Sequence, residues 1–98
     1  MAIEITSRNK DIPASMQDYA RGKAAAIEKE YPKTSSVKVV LDLDRHLYGA
    51  HFTATVDGFQ FDAEASDSDN LAKAIDEAAD KTDRQIRKQL DKIGDNRM

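Results

Sequence analysis

Val37, Val39, Leu41 and Leu43 alternate with Lys38, Val40, Asp42 and Asp44. A period of two with one apolar side predicts a strand that buries a single face. Phe52, Ala54 and Val56 set against His51, Thr53 and Thr55 predict a second such strand. Phe59, Phe61, Ala63 and Ala65 carry the buried face onto a third. Asp57-Gly58 between these two is a hairpin signal, because a type I′ turn needs positive φ at both central positions. Ile3 to Ser7 alternates more briefly and predicts an opening strand. Residues 45–49 form a connection of mixed polarity, and Thr34 to Ser36 reads as a loop.

Two segments follow a helical period instead. Asp11 and Pro13 mark a helix start, since proline is tolerated in the first turn, where its missing N–H has no intrahelical partner. Met16, Tyr19, Ala20, Lys23 and Ile27 follow at helical spacing, with Tyr19 and Tyr31 read as packing residues. Gly22 weakens this helix by about 1 kcal/mol relative to alanine. Tyr31-Pro32 ends it, because the residue before proline is pushed out of the helical region. Ser66 to Ser68 supplies N-cap candidates for a second helix beginning near Asp69. That helix has three faces at about 100° per residue. Leu71, Ile75, Ala78, Thr82, Ile86 and Ile93 form an apolar stripe; Lys81, Arg84, Lys88 and Lys92 form a basic one; Asp76, Asp80, Asp83 and Asp91 occupy much of the rest. The apolar stripe docks on a core and leaves the basic stripe presented outward. The order is β-α-β-β-β-α, an α+β fold. Strands two to four should form an antiparallel meander, with both helices on its apolar face. Residues 1–93 read as one domain and 94–98 as a frayed tail.

Composition narrows the chemistry. At 98 residues, with 40% hydrophobic residues and few aromatics, there is room for one core built on Val, Ile, Leu and Ala. There is no cysteine, which excludes a disulfide framework, a thiolate metal site and a cysteine nucleophile, and suits a reducing cytoplasm. No apolar run approaches the roughly 20 residues that span a bilayer, and no basic-then-apolar secretory pattern opens the chain. The formal charge of −3 is not that of a typical RNA binder, but the charge is polarised. Residues 81–98 hold six Lys/Arg and three Asp, a net +3, whereas residues 1–80 carry a net −6. A local cationic face can still act, because screening cuts off charges beyond about 8 Å at physiological salt. The same residues also complement the helix dipole at its C-terminal end.

The run A-I-D-x-x-x-D-K-x-x-R-Q-I-x-K, Ala74 to Lys88, resembles the second helix of the ribosome hibernation promoting factors, a family earlier described as sigma-factor modulation proteins. Ile3-Glu4-Ile5-Thr6-Ser7, Ile12, Met16, Tyr19, Lys23 and Ile27-Glu28-Lys29 resemble its first strand and helix. Val39-Val40-Leu41 resembles its second strand, and Ala54-Thr55-Val56 with Asp57-Gly58 its third strand and hairpin. The likeness spans roughly residues 3 to 92. It implies a stoichiometric blocker, not an enzyme, with no cofactor and no small-molecule substrate. The partner it implies is the small ribosomal subunit, between head and body, across the messenger channel and the A and P sites. Lys23 and Lys29 on the first helix and Lys81, Arg84, Lys88 and Lys92 on the second match basic family positions and would meet rRNA phosphates; Arg87 joins them although it points toward the acidic sector. Such contacts fix position, and shape supplies specificity. Departures are Ala26 and Gln89, where family members often carry a basic residue, and Asp83 beside Arg84. The chain is either a short form or the N-terminal part of a long form, and is expected to be cytoplasmic and monomeric off the ribosome.

Other chemistry finds little footing. His46 and His51 read as surface histidines, not metal ligands or bases. Asp67-Ser68-Asp69-Asn70 lacks the glycine and glutamate of a calcium loop and reads as helix capping. Asp62 and Glu64 read as a solvated strand face. There is no Gly-rich phosphate loop, nucleophile elbow or HExxH. The β-α-β-β-β-α order is close to that of double-stranded RNA-binding domains, but those place basic residues at the start of the last helix; here that start carries Asp67, Asp69, Asp76 and Glu77. A divergent dsRNA-type binder and a protein-binding regulatory module using the acidic sheet remain as alternatives.

Overall fold

The computed structural model describes residues 2–95, and the side chains of residues 3–91. Its elements are β1 (Ala2–Ser7), α1 (Ala14–Glu30), β2 (Thr34–Asp44), β3 (Leu47–Val56), β4 (Phe59–Asp67) and α2 (Leu71–Asp95). The four strands lie in chain order in one mixed sheet. β1 runs parallel to β2, so α1 serves as the crossover between them; the β2–β3 and β3–β4 pairs are antiparallel. The expected α+β class and element order are both present.

Register explains why one face is dry. Ile5 lies opposite Val39, Val39 opposite Phe52, and Phe52 opposite Ala63. Side chains alternate across a pleated strand, so the whole row faces the helices. α1 packs over β1 and β2, while α2 packs over β3 and β4. Ala20 and Ala24 of α1 and Ala74 and Ala78 of α2 have no solvent exposure; these small side chains let the helix backbones approach Val39, Leu41 and Phe52. Thr82 is the polar member of the α2 stripe. It is fully buried, and its hydroxyl donates to the Ala78 carbonyl at 2.8 Å, which satisfies the group inside the helix.

Several boundaries differ from the sequence expectations. Thr34 to Ser36 is strand, not loop. The Thr34 hydroxyl donates to the Tyr31 carbonyl at 2.6 Å, and Thr34 pairs with Val56 across a register shift before Ser36. The 45–49 connection shrinks to Arg45-His46, because Asp44 already pairs with Leu47. Arg45 takes φ 60° there, a left-handed conformation with no glycine or asparagine to announce it. Asp57 and Gly58 have φ 52° and 84°, as the I′ signal requires. α2 begins at Leu71 and its cap is Asn70 instead of a residue of 66–68, since β4 continues to Asp67 opposite Tyr48. The Asn70 side-chain oxygen accepts from the N–H groups of Ala72 and Lys73, and Asp67 accepts from the Asn70 N–H. Phe59, expected on the buried face, is 42% exposed because it sits at the hairpin end of the sheet. Tyr19, expected to pack, is also exposed; Tyr31 is buried as expected. The tail expectation for residues 94–98 meets a helix that runs to Asp95; residues 96–98 lie outside the described residues.

Candidate nucleic-acid interface

The side chains of α2 that reach neighbouring elements define two flanks. On one, Lys81 Nζ donates to the Glu64 carbonyl at 3.1 Å and Gln85 Nε2 to the Asp62 carbonyl at 2.9 Å. These carbonyls belong to β4, an edge strand of the sheet. On the other, Asp76 and Asp83 meet α1 and the residue that ends it. The Tyr19 hydroxyl donates to Asp76 at 2.6 Å and the Tyr31 hydroxyl to Asp83 at 2.7 Å. The apolar stripe lies between these flanks, against the sheet.

The sequence-derived cations divide accordingly. Lys81 and Lys88 are one helical heptad apart on the β4 side, and both are exposed. Lys88 has no ion-pair partner among the described residues. Arg84 stands on the outward surface, where its guanidinium binds the Asp80 carboxylate through both Nε and an Nη. The side chain of Lys92 lies outside the described residues. Arg87 is on the α1 side, between Glu30 at 3.5 Å and Asp83 at 3.4 Å, as its position toward the acidic sector suggested. Lys23 is half-buried; its ammonium lies 3.1 Å from Asp76 and 5.5 Å from the centre of the Tyr19 ring. Lys29 is exposed near the end of α1, with no ion-pair partner among the described residues. Lys81, Arg84 and Lys88 therefore share the outer part of α2, whereas Lys23 and Arg87 sit in the seam between the helices.

That seam is the part the sequence reading missed. Asp76, Asp80, Asp83 and Glu30 act as specific partners and not as a diffuse acidic surface. The spacing carried a signal: Asp80–Arg84 and Asp83–Arg87 are both i,i+4 pairs with the acid N-terminal, the favourable orientation on a helix. Asp83, beside Arg84 in sequence, accepts the Tyr31 hydroxyl and pairs with Arg87. The Tyr19 hydroxyl bond, and after it the Lys23 ammonium, hold the Asp76 carboxyl below its ordinary pKa. Asp76 in turn raises Lys23 and Tyr19. Burial, with the bond to Asp83 next, pushes the Tyr31 hydroxyl up.

The sheet face opposite the helices has a different character. Register places Glu4, Lys38, Thr53 and Asp62 in one row across it. Asp62 accepts from the Thr53 hydroxyl at 2.7 Å and lies 3.2 Å from His51 Nε2. A shallow depression beside this row is lined by Arg8, Asp42, His51 and Glu64, where Gly49 contributes no side chain. With Glu4, Asp42, Asp62 and Glu64 against Lys38 and Arg8, it is a poor surface for a polyanion. Among the described residues no group of His, Cys, Asp or Glu is placed to hold a metal, and no helix is long and apolar enough to cross a membrane.

Over residues 3–94 the chain matches the family described as sigma 54 modulation protein / S30EA ribosomal protein. It is 31% identical over 93 residues to a ribosome hibernation promoting factor of Escherichia coli K12, covering 95% of this chain and 97% of the relative. A Pseudomonas putida protein of the same name is 29% identical over 92 residues, covering 94% and 89%. Among solved structures, the N-terminal domain of Protein Y from Thermus thermophilus superposes with a TM-score of 0.76 at 29% identity, covering 90% of this chain and 98% of that one. A ribosomal subunit interface protein from Coxiella burnetii shares the fold with a TM-score of 0.79 at 18% identity, covering 91% and 97%.

Proposed function

The chain belongs to the sigma 54 modulation protein / S30EA ribosomal protein family, and from that premise we propose that it is a ribosome hibernation factor. It binds the small ribosomal subunit in the channel for messenger and the A- and P-site transfer RNAs, and blocks translation by occupancy with no catalytic step. The observation that carries this reading is the outer row of α2, Lys81, Arg84 and Lys88, on a chain that matches the hibernation promoting factors over nearly its whole length. Lys92 continues the row by spacing, and Lys29 adds a cation on α1. Lys23 and Arg87 contribute less directly, since they sit in the seam between the helices, Lys23 with Asp76 and Arg87 with Glu30 and Asp83.

Phosphate contacts of this kind position a protein without reading sequence. A folded ribosomal channel, whose shape and phosphates are fixed, supplies the selectivity. The acidic sheet face would then point away from the nearest RNA. The compartment implied is the cytoplasm, where ribosomes are, and the protein acts as a monomer off the ribosome.

Sedimentation through a sucrose gradient with purified 30S and 70S particles, at low and at high salt, tests the reading. Co-migration at low salt and release at high salt is expected, with log K falling by roughly 0.7–0.9 per neutralised phosphate for each tenfold rise in salt. Binding to free duplex RNA in preference to particles would point to a dsRNA-type binder. Binding to neither would leave a protein partner on the acidic sheet.

A further inference from the structure

Three large hydrophobic side chains are exposed among the described residues: Tyr19, Leu47 and Phe59. Leu47 and Phe59 open β3 and β4, at opposite ends of the sheet. Tyr19 alone of the three stands on a helix. It is 36% exposed and yet fixed in place. Its hydroxyl donates to Asp76 of α2 at 2.6 Å, and the Lys23 ammonium lies 5.5 Å from the ring centre. A shallow groove in the helix seam is lined by Lys23, Asp76 and Asp80. Asp80 in turn holds Arg84, so the ring and the outer row of α2 border one surface. Asp76 and Arg84 are separated by about 12 Å along the helix axis.

The tie to α2 accounts for the hydroxyl but not for the open ring. An aromatic ring beside cations suits an unpaired base, because bases splayed from RNA loops stack on such rings while nearby cations take the flanking phosphates. Aromatic pairs prefer an offset arrangement, so a partly open ring with a lysine loosely over it still has room for a base. The Asp76 bond sets the ring before RNA arrives, and little side-chain freedom is lost on stacking. We propose that Tyr19 is an rRNA-binding residue that stacks on an unpaired base, a non-ionic contact beside the phosphate contacts of α2. The inference rests on the rRNA-binding reading above.

The test compares wild type with Tyr19→Leu, Tyr19→Phe and Lys88→Gln. Both Tyr19 variants lose the hydroxyl bond to Asp76. Only Tyr19→Phe keeps a ring, so the difference between them reports the ring and not the tie between helices. Affinity for 30S subunits is read by sedimentation across a range of KCl. Tyr19→Leu should weaken binding about five- to twentyfold, the lower part of the range for one base on one aromatic ring. Its salt slope should match wild type, because no charge is removed, whereas Lys88→Gln should lower the slope by about 0.7–0.9. Tyr19→Phe should bind nearly as wild type does. Probing of 2′-hydroxyl reactivity along the rRNA at saturating protein adds a local readout. Tyr19→Leu should lose protection at a single site that wild type and Tyr19→Phe both protect, and keep the rest of the footprint. Wild-type affinity in Tyr19→Leu, an unchanged footprint, or a Tyr19→Phe protein as weak as Tyr19→Leu overturns the inference, while wild-type sedimentation with 30S keeps the ribosomal reading intact. A wild-type protein that fails to sediment with 30S overturns both.

Discussion

Asp76 accepts the Tyr19 hydroxyl at 2.6 Å and lies 3.1 Å from the Lys23 ammonium, so one carboxylate ties α2 to α1 through two partners. Its folded-state pKa lies below the ordinary value. The stability it contributes is therefore complete above about pH 4 and is lost as pH falls through the lowered folded value. Lys23 and Tyr19 shift the other way; their share is present below their unfolded pKa values, about 10, and fades as pH rises through the raised ones. Asp76→Asn should cost about 0.5–1 kcal/mol at pH 7, a value discounted for a half-exposed site. The deficit should shrink below about pH 4 and again above about pH 10, as urea denaturation across that range would report. Tyr31→Phe removes the hydroxyl bond to Asp83 without emptying the core; a loss of about 1 kcal/mol is expected in the same assay. These contacts were hard to read in the sequence. Tyr19 has the spacing of a core residue, and helical period alone does not distinguish a ring that is buried from one that lies along the seam with its hydroxyl on a neighbouring helix.

At the scale of the element, α2 has three separate tasks. Its apolar stripe seals the sheet, its α1 side holds the helix pair together, and its β4 side covers an edge. Gln85 and Lys81 donate to the Asp62 and Glu64 carbonyls. Unpaired carbonyls on an edge strand are a template for pairing with another chain. The double change Lys81→Ala with Gln85→Ala should therefore promote self-association at high protein concentration, visible by light scattering after size exclusion; an unchanged monomer would show that the edge is protected by other means. Asn70→Ala removes the N-cap and should cost about 1 kcal/mol in thermal or urea unfolding. The strands were legible because burial on one face forces strict alternation, so Val39, Phe52 and Ala63 announce both element and orientation. The ends were less so. Thr34 is fixed by its bond to Tyr31 and its pairing with Val56, Arg45 turns without a turn residue, and Asn70 caps only because β4 runs on to Asp67. The first and last depend on pairing with a strand distant in sequence, which local sequence does not name.

Across the whole molecule, a net charge of −3 coexists with a cationic outer row because the charges are sorted by surface. The open sheet face holds Glu4, Asp42, Asp62 and Glu64, and the helix seam Glu30, Asp76 and Asp83; Lys81, Arg84 and Lys88 stand on the exterior of α2, with the first hydrogen-bonded to the β4 edge and the second bound to Asp80. The candidate interface was legible as a spacing of Lys and Arg along one helix. Its electrostatic state was not, since pairing depends on which side chains the folded helices bring within reach. A surface built this way should bind through short-range contacts that salt weakens steeply. The most direct measurement is sedimentation with 30S subunits at low salt, comparing wild type with the variant Arg84→Glu, Lys88→Glu, Lys92→Glu, its circular dichroism spectrum recorded alongside. Loss of co-migration with an unchanged spectrum is the predicted result; full co-migration of the charge-reversed protein would contradict the role assigned to this helix.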